Sequence, residues 1–144
     1  MIVVDTNYFL RLVTRPVTPQ DEVTHRDAET LFRRAEVGLE VFTTTDAIIA
    51  EVVFVLQRHC GLGRIDAAKK VRPLLQLKGC RLPTRTWCVY ALDLWEISPK
   101  LSFVDALAAV QARETGDVLA TFDQDLAKAS EATIWQAPGS NESA

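Results

Sequence analysis

Histidine and cysteine are scarce in this chain, with two and three copies among 144 residues. The cysteines are Cys60, Cys80 and Cys88, odd in number, and no two have Cys-x-x-Cys spacing. This argues against a disulfide framework or a zinc site and leaves buried free thiols as the expected state. Long apolar runs are also missing, since none approaches the roughly 18 residues of a membrane-spanning helix. No basic segment precedes the apolar start Ile2-Val3-Val4, and Asp5 interrupts that start at once. A signal peptide is therefore not expected, and the expected location is the cytosol. Excess positive charge is lacking too. The net charge of −3 differs from that of a protein that coats nucleic acid. It does not exclude a nucleic-acid enzyme, because carboxylates that hold metal ions make the balance negative. A content of 48% hydrophobic and 24% charged residues suits one globular core and excludes a disordered chain.

The pattern predicts short strands separated by helices. Ile2-Val3-Val4 reads as a buried strand, and Tyr8 to Val13 as a short helix. A helix is expected from Asp21 to Val37, ended by Gly38, and a strand from Leu39 to Thr43. Thr45 or Asp46 caps a largely apolar helix from Ala47 to Leu56. Ile65 to Leu77 is helical, with Pro73 as a kink or boundary. Helices are expected over Thr86 to Ile97 and Phe103 to Glu114, a strand over Val118 to Phe122, a short helix over Asp123 to Ala129, and a last strand over Thr133 to Trp135. The expected class is α/β, a small parallel sheet flanked by helices on both faces. One domain over residues 1–136 is expected, followed by a flexible tail at 137–144.

Four acids stand where solvated surface charge is not usual. Asp5 and Asp123 each follow a strand directly, at the sheet edge where α/β proteins bind ligands. Glu51 lies in the apolar helix with Ile48 and Val55 on its face, and is expected to be at least partly buried there. Asp105 begins a small-residue helix. Each has a plain alternative. Asp5 and Asp123 are also placed to cap helices, Asp105 to form a capping box with Ser102, and Glu51 to pair with Arg58 or another base. Taken together they suit one shared site. Converging carboxylates repel one another, and a hard divalent cation removes that cost. All-oxygen ligation favours Mg²⁺ or Mn²⁺, and such a centre suits phosphodiester hydrolysis.

Four segments resemble the PIN-domain family and, within it, the VapC-type toxins. They are Ile2-Val3-Val4-Asp5-Thr6-Asn7, Thr44-Thr45-Asp46-Ala47-Ile48-Ile49-Ala50-Glu51, Ser102-Phe103-Val104-Asp105-Ala106-Leu107 and Leu119-Ala120-Thr121-Phe122-Asp123-Gln124-Asp125-Leu126. Their order and spacing carry the resemblance, which runs from Ile2 to about Trp135. It implies a metal-dependent ribonuclease using Mg²⁺, with Mn²⁺ as substitute. It also implies an RNA substrate, an antitoxin partner whose tail occupies the site, and a homodimer. Asp5, Glu51, Asp105 and Asp123 are then the metal-site acids. Asp125 is an auxiliary candidate with an equally good surface role. Thr6 and Asn7 are candidates to orient Asp5, and Ser102 and Thr121 to support the site.

Positive groups are needed near such a centre to meet phosphates. Arg11 and Arg15 follow Asp5, while Arg58, His59, Arg64, Lys69 and Lys70 surround the Gly61-Leu62-Gly63 turn. Each serves equally as solubilising charge. Tyr8 is a candidate for stacking on bases. Phe9 reads as core, and Trp87 and Trp95 as core or dimer-contact residues. Two rival readings stay open. One is another metal-dependent phosphoesterase or DNA nuclease using the same acids. The other is a non-catalytic PIN-like interaction module.

Overall fold

The β-branched start of the chain forms strand β1 (Ile2–Val3) in the computed structural model, which describes residues 1–139. The order continues α1 (Thr6–Val13), α2 (Pro19–Glu36), β2 (Phe42–Thr43), α3 (Asp46–Arg58), α4 (Arg64–Leu75), α5 (Arg85–Ile97), α6 (Phe103–Thr115) and α7 (Gln124–Ser130). This is the expected α/β class, with a small parallel sheet. The chain divides into two compact units, Met1–Val89 and the part from Tyr90 onward. The tail expected at 137–144 falls largely on residues 140–144, which lie outside the described residues.

In the first unit β1 and β2 pair in parallel, Ile2 opposite Phe42 and Val3 opposite Thr43. Phe42 also bridges Cys80 in parallel, through Phe42 N–H to the Gly79 carbonyl at 2.9 Å and Arg81 N–H to the Phe42 carbonyl at 2.7 Å. Gly79 is required at this crossing, because a Cβ there would stand 2.1 Å from the Glu40 carbonyl oxygen. β1 was expected to be buried. Val4 is buried, but Ile2 and Val3 are exposed. The strand is two residues long and pairs, among the described residues, with β2 alone, which leaves Ile2 38% and Val3 68% exposed.

The core beneath the sheet is aromatic. Phe9 stacks on Phe32 with ring centroids 5.4 Å apart, and Phe42 meets Phe32 edge-on at 5.4 Å. Such offset and edge-on contacts add to the gain from burial. Phe9 is therefore core, as its sequence setting suggested. Ile49, Val52, Val53 and Leu56 bury one face of α3, and Ala67, Ala68, Val71, Leu74 and Leu75 bury one face of α4. Pro73 sits inside the last turn of α4, which ends two residues later. Its missing N–H removes one helical bond there. Cys80 and Cys88 are buried as expected, whereas Cys60 is exposed. Cys60 lies just past the end of α3, outside its packed face.

In the second unit Leu101, Ala109 and Leu126 form a buried cluster with Leu94, Leu119 and Ala129 against it. Trp95 is buried and meets Phe103 edge-on, which fits its core reading. Gly116 closes α6 at φ +70°, a left-handed conformation natural to glycine. The strands expected over Val118–Phe122 and Thr133–Trp135 shrink to one parallel bridge, Leu119 with Ile134. Leu119 N–H donates to Thr133 and Trp135 N–H to Leu119, at 2.9 and 2.8 Å. Val118, Phe122 and Trp135 are exposed, because two paired residues alone do not extend a ladder. Among the described residues, no helix is long and apolar enough to cross a membrane.

Candidate active site

Asp5 leaves β1 in an extended conformation and caps α1, its Oδ1 accepting from Tyr8 N–H at 3.0 Å. Such a cap fixes the carboxylate at a helix N-terminus, where the backbone dipole favours negative charge. The other oxygen, Oδ2, makes no hydrogen bond among the described residues. The next residue, Thr6, donates its hydroxyl to Glu51 Oε2. That bond joins the start of α1 to the middle of α3 and sets the Glu51 carboxylate beside the segment that carries Asp5. The start of α3 is fixed in turn by Thr45, which accepts from Ile48 N–H at 3.1 Å. The buried Thr44 hydroxyl donates to the Val4 carbonyl at 2.9 Å, tying the entry of α3 to the end of β1.

Two expectations are corrected here. Glu51 is exposed, not partly buried. Ile49, Val52, Val53 and Leu56 take the buried face of α3, and Glu51 projects from the opposite side, where Ala47 and Phe54 are also exposed. Its partner is Thr6 and not Arg58, so the ion-pair alternative is set aside. Thr6 likewise orients Glu51 rather than Asp5. Asn7 is exposed, and its amide makes no hydrogen bond among the described residues.

In the second unit Ser102 and Asp105 form the capping box that the spacing allowed. Ser102 Oγ accepts from Asp105 N–H at 3.1 Å, and Asp105 Oδ2 accepts from Ser102 N–H at 3.3 Å. Oδ1 of Asp105 remains open. Asp123 caps α7, its Oδ1 accepting from Asp125 N–H at 2.9 Å and Leu126 N–H at 3.1 Å. Thr121 Oγ1 accepts from Asp123 N–H at 3.0 Å, so Thr121 supports the Asp123 backbone. Asp125 stands 4.0 Å from Lys100 Nζ, which fits its surface reading. Capping and ligation are compatible, since each cap uses one carboxylate oxygen and leaves the second.

The basic candidates differ in their engagements. Arg11 donates to Asp21 Oδ1 at 2.9 Å, inside the Thr18–Asp21 capping box that starts α2. The Thr-Pro-x-Asp spacing carried that signal, and the pairing with Arg11 did not show in it. Arg15 and Arg58 are exposed. Arg64 is half-buried at the start of α4, and burial lowers its pKa from the usual value.

The donors suit a hard divalent cation. All are oxygens, and Mg²⁺ is commonly held by one or two carboxylates with water and substrate phosphate completing its shell. Asp5 and Glu51 in the first unit supply that number. Among the described residues, no group of three or more His, Cys, Asp or Glu side chains is arranged to hold a metal.

The fold is α/β with a small parallel sheet, and three of its candidate acids, Asp5, Asp105 and Asp123, sit at helix starts. The chain matches the PIN domain family over residues 2–132 and belongs to it. PIN domains are typically nucleases that use divalent metal ions. No curated protein matches the chain.

Proposed function

We propose that the chain is a metal-dependent endoribonuclease, the toxin of a type II toxin–antitoxin pair, with Asp5, Glu51, Asp105 and Asp123 as its metal-site acids. The observation that carries this reading is the Thr6–Glu51 hydrogen bond. It holds an exposed glutamate of a largely apolar helix beside Thr6, the residue that follows the strand-end aspartate, in a chain of a nuclease family.

A bound Mg²⁺ or Mn²⁺ would neutralise charge at the scissile phosphate and lower the pKa of a bound water. The chain contributes orientation. Tyr8 N–H holds one oxygen of Asp5, Thr6 holds one of Glu51, Ser102 N–H holds one of Asp105, and the start of α7 holds one of Asp123. Each acid keeps a second oxygen for ligation. In this reading the exposed Arg15 and Arg58 meet substrate phosphates, while Arg11 stays with Asp21.

RNA as substrate, the antitoxin and the homodimer rest on the likeness of the four acid-bearing segments to toxin ribonucleases. An antitoxin segment also has a surface to cover. Phe122 and Trp135, both exposed, border a cleft of about 460 Å³ in the second unit. Apolar patches of this kind mark protein contacts.

The test is cleavage of a mixed RNA pool in Mg²⁺ or Mn²⁺, with chelator and Glu51→Gln as controls. Cutting that needs metal and is lost in the variant is expected. Metal binding by calorimetry without cutting of RNA would shift the reading to DNA or another phosphoester. Neither binding nor cutting would leave an interaction module. Co-purification with the product of an adjacent short reading frame tests the antitoxin, and a monomer by light scattering would refute the dimer.

A further inference from the structure

A second concave surface adjoins Asp5 in the first unit. Asp5, Asn7, Tyr8, Arg11, Thr24 and Asp27 line a cleft of about 250 Å³. Helical spacing builds it. Asn7 and Arg11 are four residues apart on α1, and Thr24 and Asp27 are three apart on α2, so each pair shares a face.

The polar groups of this cleft fall into two kinds. Arg11 is engaged by Asp21, and the Thr24 hydroxyl already donates to the backbone of α2, at 3.1 Å to Asp21 and 3.2 Å to Gln20. Among the described residues, the Asn7 amide and the Asp27 carboxylate engage no hydrogen-bond or ion-pair partner. Tyr8 forms a half-buried aromatic wall, tilted against Phe32 with centroids 6.3 Å apart.

An anion does not suit this cleft. Asp5 and Asp27 both border it, and the one guanidinium is turned to Asp21. A flat, neutral group that offers N–H donors does suit it. Unstacked RNA bases are read in this way, by hydrogen bonds to the Watson–Crick edge and contact with an aromatic ring. Among the bases, guanine places two N–H donors side by side on that edge, N1–H and the exocyclic amine. They match the two acceptor oxygens of one carboxylate. Adenine places a single donor there, beside an acceptor that a carboxylate repels.

We propose that this cleft seats a guanine base of the substrate strand beside the phosphate to be cut, with Asp27 accepting from its Watson–Crick edge, Asn7 bonding its remaining polar groups and Tyr8 packing on its face. The proposal rests on the ribonuclease reading for the strand, but its recognition chemistry is testable alone. Guanosine, inosine and adenosine 5′-monophosphates are titrated at one Mg²⁺ concentration, following the backbone amide signals of Asn7, Tyr8, Thr24 and Asp27. The shared phosphate cancels in the comparison. The guanine nucleotide is expected to bind at least about fivefold tighter than the adenine one, with inosine, which lacks the amine, between them. About 1.4 kcal/mol corresponds to tenfold, so one charge-assisted hydrogen bond suffices for this ratio. In Asp27→Asn, which offers one acceptor and one donor, the guanine preference disappears. Mapped RNA cuts show guanine next to the cleavage site in the parent protein and lose that bias in the variant. Equal shifts for the three nucleotides, no shift in the cleft, or an unchanged preference in Asp27→Asn would overturn the proposal. RNA left uncut while the guanine selectivity holds would count against the ribonuclease reading and leave the base site in place.

Discussion

Asp105 has two roles assigned to it, helix cap and metal-site acid, and substitution separates them. Ser102→Ala removes the hydroxyl that accepts from Asp105 N–H. Losing a serine cap costs about 1 kcal/mol, which lowers Tm by about 3 °C in a chain of this size. Its effect on cleavage is expected to stay within about threefold. Asp105→Asn keeps an oxygen that accepts from Ser102 N–H and loses only the charge. The charge at a helix N-terminus is worth about 0.3–1 kcal/mol, so metal-free Tm falls by no more than about 3 °C. Cleavage is expected to fall more than about 100-fold, because even partners outside the first coordination shell cost 10- to 100-fold. Metal supplies a third readout. At tenfold excess over its dissociation constant, a cation that binds only the folded chain stabilises it by about 1.4 kcal/mol, or about 4 °C. Ser102→Ala retains that increment and Asp105→Asn loses most of it. The assays are circular-dichroism melting with and without 10 mM Mg²⁺, and the initial rate on a labelled RNA. An Asp105→Asn protein that keeps both the increment and the rate would refute the reasoning and leave Asp105 as a cap alone.

Thr6→Val keeps the side-chain shape and frees Glu51. The rate is expected to fall 10- to 100-fold with a raised Mg²⁺ requirement in a metal titration, and Thr6→Ser restores it. Gly79→Ala forces a Cβ against the Glu40 carbonyl, and urea unfolding is expected to show a loss of at least about 2 kcal/mol. Native alkylation modifies Cys60 alone, since Cys60 is exposed. Burial and then the Asp46 charge push the Cys88 thiol up to about 12, and burial raises Cys80; mass spectrometry showing rapid labelling of Cys88 would contradict this. Asp21 titrates low, because Thr18 and Val17 N–H donate to it and Arg11 lies beside it. A depressed folded-state pKa gives stability that is present above the ordinary value of 3.8 and lost as pH falls below it. Asp21→Asn therefore flattens the acid limb of a Tm-against-pH curve.

Several helices were legible in the sequence because they carry their own start signals. Thr45 before the apolar run and Ser102 with Asp105 cap where their spacing says. Helix α2 begins at Pro19, two residues before the expected Asp21, because Thr18 caps it and proline is tolerated in a first turn, and α4 follows Gly63 without a side-chain cap. Strands were less so. A run such as Val118 to Phe122 is apolar almost throughout, but a ladder needs a partner of equal length, and composition does not report one. Here the pairing stops at Leu119 and Ile134. The exposure of Ile2 and Val3 has the same origin. An apolar residue states a preference for burial, and the surrounding elements decide whether it is met.

The site shows the same division between local and long-range information. Asp5, Asp105 and Asp123 became candidates through their positions at expected strand ends and helix starts, which a single sequence records. Glu51 became one for a reason the structure reverses. Its apolar neighbours suggested burial, yet α3 is buried on one face only, and Glu51 lies on the other. What marks it instead is the bond from Thr6, a contact between residues 45 positions apart that no periodicity encodes. Asp27 escaped notice for the complementary reason, and Asn7 was read only as a group to orient Asp5. Asp27 looks like ordinary surface polarity on its own helix, and only the packing of α1 beside α2 brings it to one cleft with Asn7 and Asp5. Acids that double as caps can be read from spacing. Groups whose role depends on which helices pack together need the fold.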